Sequence, residues 1–147
     1  MMIAHNSEGL TFYEPEIFKD SGAHFFDTGI SAGFPSPAED FQQDRLSLDI
    51  ELIKNKETTF FARVSGQSMI GAGLDDNDLL VIDRSLEPIH NKIAVCFLDG
   101  EFTVKRLKVD AEGVWLQPEN PNYPIIRITE DNDFVIWGVV TNVIKKV

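Results

Sequence analysis

The sequence contains a single cysteine, Cys96, among its 147 residues. One cysteine cannot form a disulfide within the chain, which excludes a disulfide-stabilised scaffold and is consistent with a reducing compartment such as the cytoplasm. Cys96 lies within the apolar run 93–98, which has the pattern of a strand. We therefore expect a buried core residue there.

The sequence also lacks an excess of positive charge and a long apolar run. Thirteen Lys and Arg residues face 24 Asp and Glu residues, for a formal net charge of −11. Contacts with nucleic-acid phosphates need a basic surface, so this balance disfavours direct binding to duplex DNA and favours protein partners. No apolar run approaches membrane-spanning length, and the N-terminus has no basic-then-apolar signal pattern, so we expect no membrane anchor.

Signatures of metal sites and of other hydrolases are missing as well. His5, His24 and His90 have no metal-ligand spacing, and one cysteine cannot complete a zinc site, so we expect no metal and no cofactor. A Ser-His-Asp triad through His90 has no local support. The acidic stretch 75–78 lacks the glycine and the distal glutamate of an EF-hand loop, so a solvated turn is favoured there.

Short strand patterns separated by turn signals dominate the sequence from residue 58 onward. The length suits one domain, and 43% hydrophobic and 25% charged residues are ordinary globular values. Asp99-Gly100 is a hairpin turn signal. The pattern predicts a mainly β fold with an antiparallel, partly barrel-like domain. The predicted strands are residues 58–65, 79–83, 92–98, 101–109, 113–117, 125–128 and 134–144.

Residues 46–52 fit two patterns. They alternate between apolar and polar side chains as a strand does, but Leu46, Ile50 and Ile53 also form a helical stripe. Ser47 could cap a helix that begins at Leu48, and we favour this short helix.

The first 32 residues differ from the rest. Scattered aromatic residues are interrupted by glycine and proline, and no helical or strand period persists, which predicts an extended N-terminal arm with short ordered pieces. A helix-turn-helix domain would need amphipathic helices and basic surface, and neither is present in this stretch.

A glycine-bounded serine loop joins the first two predicted strands of the β region. Ser68 lies within it, between Gly66 and two further glycines, Gly71 and Gly73. Glycine permits backbone angles that expose a neighbouring side chain or backbone amides. Such a loop is one way to present a nucleophile, although any tight loop is built in the same way.

Lys105 adds a candidate partner for the serine. Because side chains alternate along a strand, Lys105 shares a face with Leu107 and Val109. If these two residues face the core, Lys105 points inward with them; Phe102 and Val104 have the opposite phase, so both faces of this strand can be partly covered. Burial lowers the pKa of a lysine, and a neutral buried amine is a general base that can activate a serine hydroxyl.

In this order and spacing, the serine loop and the lysine strand resemble the LexA/UmuD superfamily of self-cleaving SOS proteins, which use a Ser-Lys dyad. The stretch Gly33-Phe34-Pro35-Ser36-Pro37-Ala38 looks like the sequence just after the UmuD cleavage point and indicates a UmuD-like member. The other motifs that carry the resemblance are Ser65-Gly66-Gln67-Ser68-Met69, Asp76-Asn77-Asp78-Leu79-Leu80, Asp99-Gly100-Glu101-Phe102-Thr103-Val104-Lys105-Arg106-Leu107 and Leu116-Gln117-Pro118-Glu119-Asn120.

The resemblance implies a division of the chain and a set of site residues. Residues 1–32 would be an arm removed by self-cleavage between Ala32 and Gly33, and residues 33–147 would be the peptidase and dimerisation domain. Ser68 would be the nucleophile and Lys105 the general base. The backbone amides of Gln67 and Ser68 would form the oxyanion hole.

The resemblance also implies partners. RecA filaments on single-stranded DNA would stimulate cleavage, and the cleaved form would act as a homodimer in the cytoplasm. There it would be the accessory subunit of an error-prone Y-family translesion DNA polymerase of the UmuC type. The missing helix-turn-helix pattern removes sequence-specific DNA binding from the expected functions.

Two other classes of function stay open. The first is a LexA-like regulator that acts in transcriptional control through a partner. The second is a non-catalytic binding module with a vestigial dyad. The junction 29–37 could likewise be a plain linker, because most Gly/Pro/Ser junctions are no more than that.

Overall fold

The structure, a computed structural model, describes residues 5–7, 10–17, 23–26, 32–33 and 43–147. The chain divides into two compact units. The first comprises Met1–Pro15 and Asn55–Val147, and the second comprises Glu16–Lys54. The Phe34–Ala38 part of the motif that indicates the UmuD-like subfamily lies outside the described residues.

Strands make up almost all of the regular structure. One short helix, α1 (Leu48–Leu52), occurs in the second unit, and 3-10 turns occur at Lys56–Thr58 and Ile70–Ala72. The strands are β1 (His5–Ser7), β2 (Leu10–Tyr13), β3 (Ala23–Phe26), β4 (Gln43–Leu46), β5 (Thr59–Val64), β6 (Leu79–Asp83), β7 (Ile93–Leu98), β8 (Glu101–Asp110), β9 (Gly113–Gln117), β10 (Ile126–Arg127) and β11 (Phe134–Ile144).

The first unit contains a nine-stranded sheet in the order β1-β2-β5-β6-β11-β7-β8-β9-β10, and all of its neighbouring strands pair antiparallel. The sheet curls into a half-barrel. Its longest strand, β11, pairs with both β6 and β7 and shifts register on each side, and such bulges sharpen the twist of a sheet. The predicted fold class, mainly β, antiparallel and partly barrel-like, is confirmed.

Both faces of the central strands are buried against apolar side chains. Strand β7 is apolar at every position because neither of its faces is exposed to solvent along its whole length. Val95 belongs to one cluster of buried residues, whereas its neighbours Ala94 and Cys96 belong to a second. On β8, Val104 belongs to the first cluster and Leu107 to the second. Successive side chains on a strand point to opposite faces, so the two clusters lie on opposite faces of the sheet.

The second unit pairs β3 with β4 in an antiparallel hairpin, and α1 follows. The helix begins where the sequence predicted it, because the Ser47 side chain accepts a hydrogen bond from the Ile50 amide at 3.5 Å. The strand interpretation of residues 46–52 therefore fails beyond Leu46, the last residue of β4.

The strand predictions for the β region agree closely with the structure. The predicted ranges 79–83, 113–117 and 134–144 coincide with β6, β9 and β11, and the other four differ from the observed strands by one residue at one or both ends. The pairings of β1 to β4 were not predicted, and one of them joins the N-terminal stretch to the β region: β2 forms four residue pairs with β5. Among the described residues, no helix is both long and apolar enough to cross a lipid bilayer.

Candidate active site

Ser68 lies in the loop between β5 and β6, and two glycines shape this loop. Gly66 has φ +100°, and its amide donates a hydrogen bond of 2.9 Å to the Asp76 carboxylate. Gly73 has φ +81° and closes the short 3-10 turn by donating its amide to the Ile70 carbonyl. Residues other than glycine rarely adopt such positive φ values, so the two glycines determine the local backbone path of the loop.

A second segment, residues 118–122, holds the serine loop from outside. The Gly71 amide donates to the Glu119 carbonyl at 2.7 Å. The buried Asn120 side chain donates through Nδ2 to the Gln67 carbonyl at 2.9 Å and accepts through Oδ1 from the Asn122 amide at 3.0 Å. The backbone on the N-terminal side of Ser68 is thereby fixed by a residue far away in sequence.

Lys105 lies on β8, where it pairs with Ala94 of β7, and it is only 7% exposed. Its Nζ is 2.9 Å from Ser68 Oγ, 2.8 Å from Thr103 Oγ1 and 3.0 Å from the Val104 carbonyl oxygen. The structure thus brings the two predicted dyad side chains into hydrogen-bonding contact.

Burial lowers the pKa of Lys105 below its ordinary value of 10.5, because the charged form loses solvation. A negative charge on Cys96 would oppose this effect. However, burial raises the pKa of the Cys96 thiol to about 12, so the thiol stays neutral over the range in which the amine titrates. Burial of Cys96 agrees with its predicted core role.

Each of the three oxygens around Lys105 Nζ can accept a hydrogen bond, so an ammonium satisfies all three contacts, whereas a neutral amine satisfies them when the Ser68 hydroxyl donates to its lone pair. A neutral primary amine has two hydrogens and one lone pair, whereas an ammonium has three donors and no acceptor. The Val104 carbonyl can only accept, so it takes one hydrogen, and the Thr103 hydroxyl can take the second. In the neutral form, the lone pair is then left for the hydroxyl proton of Ser68, which is the arrangement that general-base catalysis requires.

Ser68 and Lys105 line the same cleft, which has a volume of about 330 Å³. Its walls are mostly apolar, and one wall residue, Leu10, comes from β2 near the N-terminus. Such a cleft suits an extended segment with small or apolar side chains. Other apolar wall residues are Val64, Met69, Phe102, Tyr123 and Ile126.

Ala32 and Gly33, the predicted cleavage site, belong to the second unit. Both residues are exposed, and they lie in a bend within the connection between β3 and β4. A peptide bond in an exposed loop is open to attack, unlike a bond whose backbone is paired within a sheet.

The competing motifs have structural partners of their own. His90 is exposed, and its Nδ1 accepts a hydrogen bond from the Val109 amide at 2.9 Å, so the structure adds no support for a triad. Asp78 accepts from the Asp75 amide and forms an ion pair with Lys145. Across the described residues, no group of three or more His, Cys, Asp or Glu side chains could hold a metal ion.

The sequence analysis did not identify two residues of the site, Thr103 and Asn120, although the sequence pattern could have indicated the first. Thr103 precedes Lys105 by two positions on a strand, so their side chains share a face, and this alternation could have identified it. Asn120 left no comparable signal, because its contact with Gln67 joins segments 53 residues apart.

The chain is similar to a family model and to several known proteins. The family model described as Peptidase S24-like matches residues 24–141. Protein MucA of Salmonella typhimurium is 42% identical over 134 residues, which cover 86% of this chain and 91% of MucA. Protein ImpA of Shigella flexneri is 44% identical over 115 residues, or 78% of each chain. The LexA repressor of Delftia acidovorans is 36% identical over 116 residues, which cover 79% of this chain and 51% of the repressor.

The half-barrel β domain places a serine hydroxyl in contact with a buried lysine amine. The chain belongs to the Peptidase S24-like family, as a UmuD-like member of the LexA/UmuD superfamily. The resemblance inferred from the sequence motifs is therefore confirmed. Membership supports a serine peptidase of the SOS type that cleaves its own chain.

Proposed function

We propose that this protein cleaves its own chain between Ala32 and Gly33, with Ser68 as nucleophile and Lys105 as general base. The observation that carries this proposal is the 2.9 Å contact between the Ser68 hydroxyl and a buried amine whose pKa is lowered by desolvation. A lysine with an ordinary pKa would be almost wholly protonated at neutral pH and could not accept the serine proton.

The reaction is an acyl transfer in two stages. Ser68 Oγ attacks the Ala32 carbonyl carbon while the lone pair of Lys105 takes the hydroxyl proton. The tetrahedral intermediate collapses, the bond between Ala32 and Gly33 breaks, and Lys105 returns the proton to the Gly33 nitrogen. Water then attacks the ester on Ser68, Lys105 again accepts and returns a proton, and residues 1–32 leave the serine as a carboxylate.

The negative oxygen of each tetrahedral intermediate needs donors that are already in place. The backbone amides of Gln67 and Ser68 are suitable, since neither donates a hydrogen bond to another group in the described part of the chain. In a trans peptide the C=O and N–H point in opposite directions. By holding the Gln67 carbonyl, Asn120 therefore aims the Ser68 amide the opposite way. Asn120 thus acts as a positioning residue for this donor.

The biological role that we propose is that of a UmuD-like SOS protein in the cytoplasm. RecA filaments on single-stranded DNA would promote cleavage, and the cleaved form would dimerise and serve a Y-family translesion polymerase. The similarity to the MucA and ImpA proteins along most of their length supports this assignment. The match to a LexA repressor keeps a regulatory role as the second candidate. Affinity capture with the cleaved protein separates the two roles by recovering either a polymerase or a repressor complex.

The decisive experiment compares wild type with Ser68→Ala and Lys105→Ala, with and without RecA filaments. We expect wild type to yield a product whose N-terminus is Gly33 by mass spectrometry, and both variants to remain intact while folded. Ser65→Ala is the matched control, because Ser65 lines the same cleft from the same loop and has no role in the mechanism. Cleavage by either dyad variant would refute the assignment. Incubating the wild type at alkaline pH tests the vestigial-dyad alternative, which predicts no product.

A further inference from the structure

The predicted cleavage point lies in a connection between two paired strands. Strand β3 ends at Phe26 and β4 begins at Gln43, and the two residues face each other in the ladder, as do Ala23 and Leu46. The bond between Ala32 and Gly33 lies between these strands in sequence, so its hydrolysis removes none of the pairing in the hairpin. This step rests on the proposed cleavage position.

The N-terminal stretch is also paired within the main sheet. Strand β2 forms four antiparallel residue pairs with β5, from Leu10 opposite Val64 to Tyr13 opposite Phe61. Its alternate side chains enter the core: Leu10 is 3% exposed and Phe12 is 5% exposed.

Phe12 is part of an aromatic cluster in the first unit. Its ring centroid is 4.9 Å from that of Phe102 and 4.8 Å from that of Trp137. Tilted and edge-on contacts at these distances are favourable beyond the burial of apolar area. The β5 backbone and the rings of Phe102 and Trp137, which contact β2, all lie on the C-terminal side of the bond between Ala32 and Gly33, and these contacts are non-covalent, so hydrolysis of that bond breaks none of them.

From these two sets of contacts, we propose that self-cleavage nicks the protein without releasing residues 1–32. The edge of β5 is a strand-binding surface, and its occupant after cleavage is the chain's own N-terminal fragment, held by β-strand pairing and by Leu10 and Phe12 in alternate apolar positions. Release of the fragment is a second and slower step. It uncovers the β5 edge and removes Leu10 from the wall of the cleft that contains Ser68.

The test separates retention from self-cleavage. A Ser68→Ala chain carrying a site-specific protease sequence inserted after Gly33 is cut with that protease, and a wild-type chain is left to cleave itself. Both products are analysed by size exclusion and native mass spectrometry at micromolar concentration. We expect the two fragments to run as one complex and to separate only in denaturant. Failure of the wild-type chain to cut itself would refute the proposed function, while the protease-cut chain would still report on retention.

Matched variants identify the surface. Phe12→Ala should speed fragment loss by about 140- to 4,000-fold, the ratio expected when a buried phenylalanine is truncated. Thr11→Ala, on the opposite face of β2, should change the loss rate by less than about threefold, in line with small surface effects. Hydrogen exchange of the β5 amides reports on the same contact, and they should stay protected in the nicked protein and lose protection as the fragment leaves. Immediate separation of native fragments with β5 unprotected, or equal effects of the two variants, would overturn the proposal.

Discussion

Replacing Asn120 with aspartate tests the positioning of the oxyanion donors by changing one functional group. The aspartate side chain has nearly the same size and keeps the oxygen that accepts from the Asn122 amide. It loses the Nδ2 hydrogens, one of which bonds to the Gln67 carbonyl at 2.9 Å. Because position 120 is only 7% exposed, solvent cannot readily replace the lost donor.

The size of the effect follows from the lost contact. Leaving a buried acceptor without its partner costs about 1–3 kcal/mol. If that cost appears as a poorly aimed Ser68 amide in the transition state, cleavage slows by about 5- to 150-fold. Removing an oxyanion donor lowers the catalytic rate by about 100- to 1,000-fold in other serine peptidases. A donor that is present but poorly oriented should lower the rate by no more than this.

The assay follows the first-order rate of self-cleavage from neutral to alkaline pH by denaturing gel or mass spectrometry. For Asn120→Asp, we expect a lower limiting rate at high pH, and a shift of the midpoint would report the effect of the added carboxylate on the pKa of Lys105. Asn122→Asp is the control, since it adds the same charge two residues away at an exposed position. A rate within twofold of wild type in a folded Asn120→Asp protein, or an equal loss in the control, would refute the positioning role.

Four further predictions concern the lysine and the fold. Self-cleavage should accelerate as pH rises through the lowered pKa of Lys105, with a midpoint below 10.5; a flat profile would contradict its role as base. Lys105→Met should raise the free energy of unfolding at neutral pH. In the wild type the unfolded chain binds a proton at Lys105 more tightly than the folded chain does, which favours unfolding, and methionine removes this difference. The gain in stability should fade as pH approaches 10.5 in denaturant titrations. Thr103→Val should slow cleavage by about tenfold through loss of one hydrogen bond to the amine, while folding stays cooperative. Asp83→Ala should lower the free energy of unfolding by about 2–4 kcal/mol, since it strands the donors of Asn55, Thr58 and Ser85; a loss below about 1 kcal/mol would contradict this.

Local sequence determined most of the β region. Alternating apolar residues bounded by turn signals predict strands because both the side-chain period and the turn geometry are properties of a few adjacent residues. The same holds for the capping of α1 by Ser47 and for the backbone path at Gly66, where the positive φ favours glycine.

The sequence by itself also indicated the candidate dyad, a serine between glycines and a lysine in phase with Leu107. Only the tertiary structure decided that Lys105 is buried against Ser68, that Asn120 holds the Gln67 carbonyl, and that β2 joins β5. Each of these contacts joins segments remote in sequence. Their existence depends on how the strands are ordered in the sheet, because desolvation and hydrogen-bond geometry arise only when those remote segments are packed together.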